Sequence, residues 1–431
     1  MITVAVLLIL FTFLIYRWNF IRGLPFSFVV HYGLFAVKLA GAAAFFYIYT
    51  YYYSNNLRFK SDLWKYYQDA AAIYDLVGKG NHALFFKVMA GNDKDKDTKT
   101  FLQKETEFWY KKFNYGLYNE NRTIIRFIVL LMFLTGKNIY ALSLISVFLS
   151  YLGSAAIFRF FYQVAPDKKY GLLITSFLIP SVVFWTSPLL KEMLAVLFLG
   201  FTVYFANKRK WLYASVFFVL LFFTKIYLAL ALLPALVAYL AAQKVGLVKA
   251  YVSVYTLLAI VVIALHLSGS QWSVVTKLSQ KQHDFINMAI AENAGSYIDI
   301  PPLNNRIMNF VRNLPQAFIN SFFRPFLGDY RGIITLPNII ENIGLLIFMI
   351  FIFRRFRWPN DKKTANVVLM SLWFSVVVML IIGYTVPVLG ALVRYRSPVL
   401  PFLTGGLLLL GGRSFPSFPF FKFPTENKKG D

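Results

Sequence analysis

The chain begins MITVAVLLILFTFLIYRWNFIRGLPFSFVVHYGLFAVKLAGAAAFFYIYTYYY, residues 1–53, two apolar runs on either side of a short basic cluster, Arg17–Arg22. Runs of this kind fit helices that cross hydrocarbon, where every backbone polar group has to be satisfied inside its own segment. The first run lacks a basic start and a small-residue cleavage site, so it reads as a retained span rather than a removable signal. Outward from here the pattern repeats along most of the 431 residues, of which 58% are hydrophobic, 19% aromatic and only 15% charged. The expectation is an all-α, polytopic transmembrane helical bundle. Continuous apolar runs do not suit a β-barrel, whose strands alternate.

Spans are predicted near 1–16, 25–53, 138–162, 171–186, 189–206, 211–224, 226–242, 248–266, 333–353, 364–383 and 397–411, about eleven in all. Arg17–Arg22, Asp167–Lys169, Asn207–Lys210, Lys244–Lys249 and Arg354–Lys363 link them. Placing these basic linkers in the cytoplasm gives a bacterial inner-membrane topology with the N-terminus outside and the C-terminus inside. The net charge of +25 is then mostly anchoring charge, and no nucleic acid partner is expected. Two stretches strain the count. The run 123–135 is short and reads as an interfacial or re-entrant helix, and 211–242 reads as a tight hairpin with Lys225 at its outer tip.

The chain then forms a single integral membrane domain, 1–431, with extracytoplasmic loops at 54–137 and 267–332 that carry short juxtamembrane helices. A shorter outer segment covers 384–396, and 412–431 is a proline-rich cytoplasmic tail. There is no cysteine, and the four histidines show no ligand spacing. Neither disulfides, nor a metal, nor a cofactor is expected.

The polar chemistry concentrates in the loops. In SDLWKYYQDAAAIYDLV, 61–77, helical spacing puts Asp62, Lys65, Tyr66 and Asp69 on one face, with Lys65 and Asp69 at i,i+4. The plain reading is a solvated helix held by a Lys–Asp pair. The functional one is a carboxylate held at the membrane surface as a base beside rings that stack on a sugar. The run GNDKDKDTKTFLQKETEF, 91–108, reads as a solvated face or mobile loop. In 178–198, Pro180 and Pro188 break helices, and Lys191 and Glu192 start the returning one at a depth where charge is costly. Arg324 stands between Phe323 and Pro325, and Arg394 and Arg396 flank Tyr395 at the outer end of the last span. Outer arginines run against the charge rule, so a phosphate is their natural partner. His31 and Lys38 lie within the second span, where Lys38 needs a partner such as Glu192 or Glu341.

In order, SDLWKYYQDA, RFIVLLMFLTGKNIYALSLISVFLSYLGSAAIFRFF, PSVVFWTSPLLKE, NSFFRPFLGD before ENIGLL, and RYRSPVLPFL resemble the GT-C-type polytopic glycosyltransferases and related bacterial polysaccharide-polymerase-like membrane proteins. The resemblance implies transfer of a sugar from a polyprenyl phosphate or pyrophosphate donor to a glycan or lipid-linked acceptor at the outer face, among membrane lipid. It implies Asp62 or Asp69 as the base, with Lys65 and Tyr66 beside it. Arg324, Arg394 and Arg396 would neutralise the departing phosphate, and Lys191 with Glu192 would shape the donor pocket. Many members of this family carry an adjacent acidic pair in the first loop, whereas the two aspartates here are seven positions apart, which leaves the base open. A polysaccharide polymerase or ligase is the neighbouring alternative. A lipid-linked glycan transporter or flippase would show two related halves, and a non-catalytic assembly subunit would use the loops for docking.

Overall fold

The computed structural model describes residues 2–53, 61–110 and 119–412; the predicted tail lies almost wholly outside them, as does part of the first loop. The described chain is helical, with two isolated bridges in place of any sheet. Six helices are long and apolar enough to cross a membrane: Phe28–Tyr52, Ile139–Tyr162, Ile226–Val245, Leu247–Leu267, Ile333–Arg354 and Lys362–Thr385. A seventh crossing is available where Pro166–Leu178 and Pro180–Thr186 meet at a 43° bend. The chain is thus a multi-pass helical membrane protein.

The remaining predicted spans are helices, but short ones. Ile2–Arg17, Lys191–Asn207, Trp211–Thr224 and Leu400–Leu410 have 16, 17, 14 and 11 residues, or roughly 24, 26, 21 and 17 Å against a hydrocarbon core of about 30 Å. Leu400–Leu410 is buried along its whole length, because other helices rather than lipid receive its side chains.

At the centre, Ile139–Tyr162 crosses Lys191–Asn207 backbone to backbone. A methyl group on Gly200 would stand 2.4 Å from the Gly153 carbonyl, and one on Gly153 would stand 2.7 Å from the Leu197 backbone. Glycine at both positions lets the two helices approach this closely. Next to this crossing the broken helix ends at Thr186, and Lys191 restarts the chain after Pro188.

The segments between spans fold as helices too. Asp62–Gly78 buries Leu63, Trp64, Tyr66, Ala70, Ile73 and Leu76 against Asn121–Thr135, whose own buried stripe is Ile124, Ile125, Ile128, Val129 and Met132. Spacings of three and four on both helices create this contact. Of the two readings of 91–108, the structure shows the solvated face: Lys96–Glu105 is a helix with most of its side chains exposed. Asp95 caps Lys96–Glu105 by accepting from the Thr98 N–H at 3.1 Å, and Lys87 reaches the same carboxylate at 2.8 Å. Further along, Val274–Ala291 and Ile307–Phe323 lie against Lys362–Thr385. Gln282 ties this region down by donating to the carbonyls of Pro301 at 3.0 Å and Tyr384 at 2.8 Å and accepting from Leu303 N–H at 2.9 Å. The backbone of 296–298 bonds to Pro387 and Leu389 and so sets where the short helix Leu389–Arg396 begins.

Candidate functional site

Arg394 joins three parts of the chain. Its Nε and Nη2 donate to the two carboxylate oxygens of Glu192 at 2.8 and 3.1 Å, and its Nη1 pairs with Asp62 Oδ2. A guanidinium is the side chain able to grip one carboxylate with a fork and a second with its remaining N–H. Glu192 is fully buried and also accepts from Lys225 Nζ at 2.7 Å. Lys225 is 1% exposed, and its ammonium lies 4.6 Å from the Tyr395 ring centre. The break between Trp211–Thr224 and Ile226–Val245, predicted as a hairpin tip, carries Lys225 into the protein interior, where it finds its counter-charge. Glu192 occupies the first turn of its helix, where the N-terminal dipole also favours an anion.

Around this chain of charges, Trp185 lies 5.6 Å from the Arg394 guanidinium. Lys191 donates to Asn121 Oδ1 at 2.8 Å and stands 3.8 Å from Glu120, and Tyr66 donates to the same Asn121 oxygen at 3.2 Å. Glu120 also accepts from the Ile226 N–H at 2.8 Å. From the second long segment, Phe285 stacks on Tyr395 at 6.0 Å and Lys281 sits 4.4 Å from Phe285, within electrostatic reach of Glu120 and Lys191. Asp62, Tyr66, Lys191, Glu192 and Arg394 are therefore together at one end of the bundle. Asp62 keeps about a third of its side chain exposed, at 34%.

Asp69 is elsewhere. Its oxygens accept the backbone N–H groups of Glu107, Phe108 and Trp109 at 2.9, 2.9 and 2.7 Å. Burial pushes its carboxyl up to about 6, with the three N–H donors pulling the other way. The expected Lys65–Asp69 pair is absent. Lys65 turns to Glu107 at 3.2 Å, since Asp69 is taken up by the backbone.

Arg396 and Arg324 form a second cluster. Two positions beyond Arg394 on a helix, Arg396 points away from it and donates to the carbonyls of Arg324 at 2.7 Å and Ser321 at 3.3 Å, with Glu341 at 4.0 Å. Glu341 accepts from the Ser181 N–H, and Arg324 stands 3.7 Å from Asp329. Among the described residues, Arg396 Nε and Nη2, Arg324 Nε and Glu341 Oε1 are buried without a hydrogen-bond partner. A small apolar crevice of about 10 Å³ is lined by Phe322, Leu345, Met349, Leu400, Leu403 and Arg396.

Lys38 meets neither carboxylate proposed for it. It is buried among hydroxyls and donates to Ser150 at 2.9 Å and Thr186 at 3.3 Å, while His31 bonds to Tyr151 at 3.1 Å. Sequence reasoning missed Glu120, Asn121 and Lys281. A Glu–Asn pair just before an amphipathic helix looks like an ordinary helix start, and Lys281 sits in a polar stretch with nothing to mark it. Among the described residues, no three His, Asp or Glu side chains gather as a metal ligand set.

The fold and site define a multi-pass helical membrane protein with a buried chain of ion pairs that opens at one end of its bundle. Comparison with protein-family models, with characterised proteins and with solved structures finds no match for the chain.

Proposed function

We propose that the protein is a membrane glycosyltransferase that takes a sugar from a polyprenyl-phosphate or -pyrophosphate donor and passes it to an acceptor hydroxyl at the outer face of a bacterial inner membrane. On this reading the ends carrying Asp62 and Arg394 face outside, and the short helices complete an eleven-span topology. The observation that carries the proposal is the Asp62–Arg394–Glu192–Lys225 chain, which holds one partly exposed carboxylate in a fixed orientation above a buried counter-charge.

Arg394 grips Asp62 by Oδ2 and leaves Oδ1 to take the acceptor proton. As the acceptor oxygen bonds to the anomeric carbon, the bond from that carbon to the phosphate oxygen breaks with its electron pair. The sugar passes through an oxocarbenium-like state. Positive charge fixed beside the departing phosphate stabilises it where water is scarce. Arg394 is spent on two carboxylates, so Arg396 and Arg324, with N–H groups to spare, are the better phosphate ligands.

Proteoliposomes supplied with polyprenyl-phosphate and -pyrophosphate sugars test this. Asp62→Asn lowers turnover by about 10²-fold or more, the size of a general-base contribution. Asp69→Asn retains turnover per folded molecule. An Asp62→Asn protein as active as the parent would end the proposal.

A further inference from the structure

The helix that presents Asp62 also lines a second hollow. Ala72, Leu76 and Lys79 fall on the same helical face as Asp62, Lys65 and Asp69, at spacings of three and four. They meet Leu84, Phe101 and Glu105 from the next two helices around an open cavity of about 400 Å³, with Asp75 and Asn81 at its rim. That volume lies in the range of small-molecule sites.

The walls combine an aromatic ring with carboxylate, ammonium and amide groups. A pyranose needs this combination: its C–H face rests on a ring, and its hydroxyls donate to carboxylates and accept from N–H groups. Between the hollow and Asp62 the same elements repeat. Lys65 pairs with Glu107, both partly exposed, and lies 5.1 Å from the Phe108 ring centre. Asp75 to Asp62 is about 20 Å along the helix axis, a reach of several sugar units. The charges are close to balanced, with Lys137 on Asp75 and both Lys79 and Glu105 lining the hollow, which favours an uncharged chain over a polyanion.

We infer that the hollow beside Phe101 and Glu105 binds a distant sugar of the acceptor, a neutral oligosaccharide whose reacting end lies at Asp62. This inference rests on the sugar-transfer reading and adds the acceptor's class and direction to it.

The test uses the full chain in nanodiscs on a panel of immobilised neutral oligosaccharides of increasing length. The parent and Asp62→Asn proteins bind the longer members, and Phe101→Ala and Glu105→Gln each lower that binding at least tenfold. In the transfer assay, Phe101→Ala abolishes any preference for longer acceptors. Exposed Glu105 makes its glutamine variant safe for folding should Phe101→Ala unfold. No binding to any neutral member, or unaltered binding by both variants, overturns the inference. Binding that these variants weaken, in a protein that transfers from no donor, overturns the sugar-transfer reading and leaves the glycan site in the hollow standing.

Discussion

Asp62 and Asp69 leave one helix on one face and meet different surroundings, and the difference lies in what each oxygen touches. Asp69 is a staple for the chain at 107–109, with both oxygens filled by N–H groups. Asp69→Ala leaves three donors without an acceptor and costs about 3 kcal/mol, seen as a lower melting temperature and faster proteolysis near residue 107. Its pH dependence follows from burial, which raises the folded value to about 6 above the ordinary carboxylate value. The folded chain then holds the extra proton, so this group's contribution is full at low pH and is lost as pH rises through 6. The melting-temperature advantage of the parent over Asp69→Asn therefore grows from pH 7 to pH 4.5. If it shrinks instead, the three N–H donors outweigh burial. At Glu192 the cost comes from abandoned cations. Glu192→Gln leaves Lys225 buried without a counter-charge and Arg394 with Asp62 alone, a loss of about 3–5 kcal/mol. Adding Lys225→Met removes one stranded charge and recovers part of that loss, a non-additivity readable by thermal unfolding.

Among the elements, the broken helix Pro166–Thr186 and the span Phe28–Tyr52 meet through polar side chains inside the bundle. Lys38 lies there with two hydroxyls and no carboxylate among its contacts. Ser150 and Thr186 also bond to each other at 3.2 Å, so they keep a partner when the amine is removed. Lys38→Met accordingly changes stability by about 1 kcal/mol or less and leaves transfer intact. A larger loss of activity at unchanged melting temperature would give Lys38 a part in function. The helix Leu389–Arg396 shows how an element can divide a site. Residues two apart on a helix point to different sides, so Arg394 and Arg396, neighbours in RYRSP, serve separate clusters.

For the molecule as a whole, the proposed orientation places both long inter-span segments on one side. The chain has no cysteine, so single substitutions report this directly. Cysteines replacing exposed Lys99 and Glu292 react with an impermeant maleimide in intact cells. Those replacing Lys208 and Lys362 react only after permeabilisation, and the reverse pattern would place the site in the cytoplasm. The sequence by itself determined the helical membrane class, because apolar length and the need to satisfy backbone groups in lipid are local properties. It also marked Lys191 and Glu192 as charges where charge is expensive, Asp62 as one of two candidate bases and Arg394 as an arginine against the charge rule. Only the tertiary structure decided which of those charges meet. Arg394 reaches Asp62 across 332 positions of sequence, the backbone at 107–109 claims Asp69, and Lys225 turns inward to Glu192. Ion pairing and hydrogen bonding act over a few ångströms, and folding alone brings residues that far apart in sequence within such a range.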